Sequence, residues 1–146
     1  VELGHATDTT LARSAAGVLQ VEGVTVDTIS ATNTLTNKRI TKRVVTEASN
    51  ATITVNSDTT DIHTVTALAA ATVVANPTGT PTEGQMFVLR IKDDGTARAI
   101  TYGTEFRGST DLTLPATTVI SKTIYMLFIR NTTDTKWDIL AKNDGF

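Results

Sequence analysis

Thirty-one of the 146 residues are threonine, about one in five. Threonine carries a branched Cβ that is stiff at χ1 and sits well on a half-exposed strand, so such a chain is expected to be sheet rather than helix. Hydrophobic residues make up 40% and charged residues 19%, which excludes a highly charged disordered chain and a membrane protein. A single compact chain of this length would bury roughly two-thirds of its unfolded surface. No apolar run approaches the ~18 residues that span a bilayer, and no basic-plus-apolar leader opens the chain. With a net charge of −2, no global field recruits nucleic acid or acidic lipid. The absence of cysteine removes disulfides, thiolate metal sites and cysteine nucleophiles, and leaves the redox compartment open. The first residue is Val1 rather than methionine, so a fragment or a processed product is expected.

Residues 1–43 differ from the rest. They hold no aromatic side chain, and their apolar positions (Leu3, Leu11, Val18, Leu19, Val21, Val24, Val26, Ile29, Leu35, Ile40) are sparse. Gly17 and Gly23 punctuate short extended pieces over 17–22 and 24–27, and Asp8–Ser14 could cap one helical turn before Gly17. So thin a segment cannot offset its own ordering entropy, so an extended arm that needs neighbours is expected.

From Val44 the pattern is regular. Ile53 and Val55 alternate with Thr52 and Thr54, and further strands are expected at Val45–Glu47, Ile62–Thr66 and Thr72–Ala75. A helix over Thr64–Ala75 competes, but Val65, Thr66, Thr72, Val73 and Val74 are β-branched. Pro77-Thr78-Gly79-Thr80-Pro81 is a hard break. Gln85–Lys92 runs into Asp93-Asp94-Gly95, a hairpin signal, and Thr96–Tyr102 is expected to return beside it. Leu112–Leu114 stops at Pro115. Thr118–Arg130 is apolar on both faces, with Ile124, Met126 and Phe128 opposite Tyr125, Leu127 and Ile129. After a turn at Asn131–Thr135, Lys136–Lys142 closes the sheet with Trp137, Ile139 and Ala141 on one face. About eight short strands at this spacing predict an antiparallel, jelly-roll-like β-sandwich over 44–146.

Few residues suggest chemistry. His5 and His63 lie far apart without metal-ligand spacing, and a strand position explains His63. Ser57, Asp58 and His63 can be written as a triad, but no glycine-framed nucleophile turn supports it. Asp93-Asp94-Gly95 lacks the glutamate of a calcium loop, since Thr104 stands at the twelfth position. Asp94, Glu105 and Asp111 are carboxylates that a glycoside hydrolase could use, yet nothing selects a pair. Lys38, Arg39, Lys42 and Arg43 form a basic cluster with no aromatic nearer than Phe87, which suits a solvated strand or links to a neighbouring chain. Trp137, Tyr102, Tyr125 and Phe106 could stack on a sugar, although Trp137 alternates with Ile139 as a core residue would. No catalytic, cofactor or metal residue is assigned, and the ligand-binding residues stay open.

Two stretches carry a resemblance. Residues 6–18 with Val21-Glu22-Gly23-Val24 and Thr34–Lys38 resemble connecting segments of tailed-bacteriophage fibre and appendage proteins. Ala75–Pro81, Gly84-Gln85, Arg90–Arg98 and Lys136–Ala141 are similar to a β-sandwich module of such proteins. The resemblance implies a non-enzymatic structural part of a virion appendage (tail fibre, spike or head fibre), assembled in the host bacterial cytoplasm among other virion proteins. Alternatives are a capsid decoration protein, a module gripping a host-surface glycan through loops such as Thr104–Asp111 or Asn131–Thr135, and a polysaccharide depolymerase. A homotrimer is expected: appendage proteins are commonly trimers, residues 1–43 need support, and a two-layer fold covers only one face of Ile124–Ile129. The competing arrangement is a monomer whose arm folds over that second face.

Overall fold

The computed structural model describes residues 39–146 together with the strands β1 (Leu11–Ala15), β2 (Val18–Val21) and β3 (Val24–Thr25). The chain divides into two units, Val1–Ile40 and Thr41–Phe146. In the first, β1, β2 and β3 form an antiparallel meander with Leu11 opposite Val21 and Val21 opposite Val24. The helical turn expected at Asp8–Ser14 is therefore replaced by a strand from Leu11 onward. The other residues of the expected arm before Arg39, His5 and Lys38 included, lie outside the described residues.

The second unit is all-β, with no helix among its described residues. Its strands are β4 (Val44–Glu47), β5 (Thr52–Ile53), β6 (Ile62–Leu68), β7 (Thr72–Val74), β8 (Met86–Asp93), β9 (Ile100–Tyr102), β10 (Phe106–Arg107), β11 (Thr123–Asn131) and β12 (Lys136–Asn143). They form a six-stranded sheet ordered β10-β12-β11-β8-β6-β4 and a three-stranded sheet ordered β5-β7-β9.

The path between the sheets differs from the antiparallel, jelly-roll-like order expected. β4, β6 and β8 pair in parallel in the larger sheet, and β5, β7 and β9 pair in parallel in the smaller. The chain visits the two sheets alternately and advances by one strand at each return, so it winds as a coil of three rungs. In this unit the antiparallel strand pairs are β8–β11 and β11–β12, and β10 lies parallel beside β12. The expected hairpin at Asp94-Gly95 is absent for a simple reason. Both edges of β8 are occupied, by β6 and β11, so the chain leaving Gly95 crosses to the other sheet and becomes β9. Leu112–Leu114 forms no strand.

Threonine and its small polar companions hold successive rungs together at the corners. Thr72 Oγ1 donates to the Asn50 carbonyl at 2.8 Å, Thr66 Oγ1 to that of Glu47 at 3.3 Å and Ser57 Oγ to that of Thr78 at 2.8 Å. Each hydroxyl satisfies a backbone carbonyl where the chain leaves a sheet and the ladder ends.

One core cluster draws on both sheets: Ile53, Val55, Val74 and Ile100 join Val65, Leu89, Ile91, Ile124, Met126 and Trp137. Its aromatic part centres on Phe87, which stacks on Phe128 at 5.3 Å and meets Trp137 edge-on at 4.8 Å. The alternation read for Ile53/Val55, for Ile124/Met126/Phe128 and for Trp137/Ile139 is that of the core. Ala141 is a correction. Phe128 pairs with Ile139 and Leu127 with Ala141, so Leu140 is an extra residue that flips the alternation, and Ala141 is exposed on the outer face.

Candidate functional site

The outer face of the six-stranded sheet follows from the pleat, which turns alternate residues away from the core. Register links Val44, Ile62, Val88, Leu127 and Ala141 into one row across five strands, apolar from end to end. Met86 and Ile129, directly opposite each other, extend the apolar surface on one side, with Met86 51% exposed. Two apolar hollows indent this surface. One of about 260 Å³ lies between Val88, Tyr125, Leu127 and Ala141, the other of about 220 Å³ between Ile62, Met86, Val88 and Leu127.

On the other side of the row the chemistry changes. Thr46, Thr64, Arg90, Tyr125 and Asn143 form the next row, and Lys92 opposite Thr123 lies beyond it. A groove of about 350 Å³ runs between Thr64, Thr66, Arg90, Lys92, Thr123 and Tyr125. Arg90 Nε donates to Thr64 Oγ1 at 3.0 Å, and its guanidinium carbon lies 5.9 Å from the centre of the Tyr125 ring. Tyr125 is itself braced edge-on by Phe146 at 5.3 Å.

Four other arginines are neutralised by carboxylates. Arg43 meets Asp61 at 2.7 Å, Arg98 meets Asp94 at 2.8 Å, Arg107 meets Asp138 at 2.6 Å and Arg130 meets Glu105 at 2.7 Å. Hydrogen bonds from Arg43 hold the Asp61 carboxyl down at about 2, and those from Arg107 lower that of Asp138. Arg90 and Lys92 have no carboxylate partner among the described residues.

The residues singled out from sequence are not brought together. Ser57 is committed to Thr78, Asp58 Oδ1 accepts from Thr80 N at 2.9 Å, and His63 Nε2 lies 2.8 Å from Glu47 Oε1. His63 is buried at 4% exposure, and its Nδ1 has no partner among the described residues. Asp93, expected as a turn residue, is buried and accepts from Gly95 N at 2.9 Å, Ser121 N at 2.9 Å and Thr118 Oγ1 at 2.8 Å. Burial alone would raise its pKa, but these donors outweigh it and the net shift is downward. Asp94 and Glu105 each pair with an arginine, and Asp111 is exposed. Of the basic cluster, Arg43 serves Asp61 and also donates to the Asp58 carbonyl, while Arg39 and Lys42 are exposed. No group of three or more His, Cys, Asp or Glu residues suited to a metal occurs among the described residues.

Trp137 and Phe106 lie in the core, and the Tyr102 hydroxyl, raised in pKa by burial, donates to the Pro115 carbonyl at 3.0 Å. Tyr125 alone of the four stacking candidates faces outward. The loop Asn131–Thr135 is closed by its own bonds, Asp134 N to Asn131 Oδ1 at 3.1 Å among them. Sequence reasoning missed the groove because its cations stand apart in the chain from its threonines. The available signal was Arg90 and Lys92 alternating with Ile91 beside an outward Tyr125.

No family model, curated protein or solved structure matches the chain.

Proposed function

We propose that residues 44–146 form a two-layer β-sandwich serving as a structural, self-associating part of a tailed-phage virion appendage such as a fibre, spike or head fibre. The observation that carries self-association is the apolar row Val44–Ile62–Val88–Leu127–Ala141 with its flank at Met86 and Ile129. Five strands at a spacing of about 4.8 Å, one row about 6.6 Å deep and a two-residue flank give roughly 200 Å² of apolar face. What points to an interaction is its continuity across five strands beside a polar row, since contiguous apolar patches rimmed by polar residues serve as contact sites. It falls short of the ~800 Å² per partner of a specific interface, so a second contribution is needed, and we assign it to residues 1–43. The partner is a second copy of the chain, and the assembly is a homotrimer: cyclic symmetry lets every copy present the same face without an open remainder. The virion assignment rests on the resemblance of residues 6–18, 21–24 and 34–38, and of 75–81, 84–85, 90–98 and 136–141, to phage appendage segments.

Light scattering on the full chain tests the reading, with three times 15.5 kDa expected. Leu127→Glu places a charge in the middle of the row and is expected to give the single-chain mass with an unchanged circular dichroism spectrum. A wild-type mass near 15.5 kDa at micromolar concentration would sink the trimer.

A further inference from the structure

We propose that the groove between β6, β8 and β11 binds an anionic saccharide, with Arg90 and Lys92 taking the acidic group and the threonine hydroxyls taking those of the sugar. Its volume of about 350 Å³ is at the lower end for small-ligand sites. Its walls come from three adjacent strands of one sheet, so the shape is pre-formed and does not depend on a loop.

The charges point to the ligand. The outward residues of the neighbouring strands are Thr46 on β4, Thr64 and Thr66 on β6, Arg90 and Lys92 on β8, Thr123 and Tyr125 on β11 and Asn143 on β12. There is no acid among them. Arg90 is oriented by Thr64 and by the Tyr125 face, and only its Nε is used in that bond. Its terminal nitrogens are left as a fork suited to two oxygens of a carboxylate or phosphate. Lys92 lies next along the same face of the strand and adds a second positive charge. Thr64, Thr66 and Thr123 offer hydroxyls that both donate and accept, as sugar hydroxyls do. Tyr125 supplies a flat apolar wall against which a ring can lie. A neutral sugar would leave the two cations unused, and a bare anion would leave the hydroxyls and the ring unused. The two features together select an acidic sugar.

The groove shares Tyr125 with one hollow of the apolar surface, but Arg90 and Lys92 lie outside that surface, so variants at these two separate binding from self-association. Isothermal titration of the full chain with trigalacturonate, maltotriose and inorganic phosphate tests the proposal. Trigalacturonate is expected to bind saturably and to weaken as ionic strength rises from ~0.01 to ~0.15 M. The double variant Arg90→Gln/Lys92→Gln is expected to lose about tenfold or more in affinity, the scale of a lost charge-assisted contact. Arg90→Lys, which keeps the charge but not the fork, should fall between. Lys92→Gln alone removes an exposed charge and should weaken binding without moving the melting temperature. Absence of saturable binding, equal binding by maltotriose or phosphate, or an unchanged affinity in a folded double variant would each overturn it.

Discussion

At the residue scale, threonine has a second use beyond strand propensity. Thr72 and Thr118 are buried, at 3% exposure each, and both spend their hydroxyls on polar groups inside the fold. Thr118 completes the shell of Asp93, a carboxylate with three donors and no direct cation contact. Asp93→Asn is expected to cost about 1–3 kcal/mol in denaturant unfolding, because the amide cannot accept from all three donors. The pH dependence has a definite sign. Asp93 and Asp61 have folded pKa values below their unfolded ones, Asp61 at about 2. Their contribution is complete above the unfolded carboxylate range near ~4 and is lost as pH falls through the folded values. Melting temperatures followed downward from about pH 5 should therefore fall, and less steeply in Asp93→Asn. The composition foretold threonine on strands. It could not foretell which hydroxyls would be buried, because that depends on carbonyls 20 or more residues away, as with Thr72 and Asn50.

Individual elements were legible where one face is covered. The alternation Ile124, Met126, Phe128 was readable because a two-residue period survives whatever the strand pairs with. Pairing was not readable. Asp94-Gly95 announces a reversal, but whether the next strand pairs beside β8 depends on β6 and β11, which lie far off in sequence. The groove was hidden for the same reason, since its walls come from residues 64–66, 90–92 and 123–125. Glycine at a corner carries a further constraint. Gly79 has φ of +98°, and a Cβ there would meet Ser57 Oγ at 2.6 Å and the Asp58 carboxyl carbon at 2.8 Å. Gly79→Ala is expected to destabilise by at least the ~1–2 kcal/mol of a left-handed alanine. Urea unfolding measures it, and a loss well under 1 kcal/mol would show that the corner can relax.

At the scale of the whole molecule, the described core cluster draws on residues of the second unit, from Ile53 to Ile139. Residues 44–146 alone are therefore expected to fold, with the strand-rich circular dichroism of the full chain but a weaker tendency to associate. Sedimentation of the truncated and full chains over the same concentrations checks this, and equal trimer stability would remove residues 1–43 from the interface.

The coil also gives the module a direction under load. Parallel rungs bond to the rungs on either side, and among the described residues β4 is the last strand of its sheet, paired with β6 alone. β11, by contrast, is flanked by β8 and β12 along most of its length. Tension entering at Val44 meets four residues of one ladder and can peel the coil a rung at a time, whereas a pull on β11 must break two ladders together. The fold therefore yields gradually from its first strand and resists at its central one, as a load-bearing element anchored through its C-terminal hairpin would.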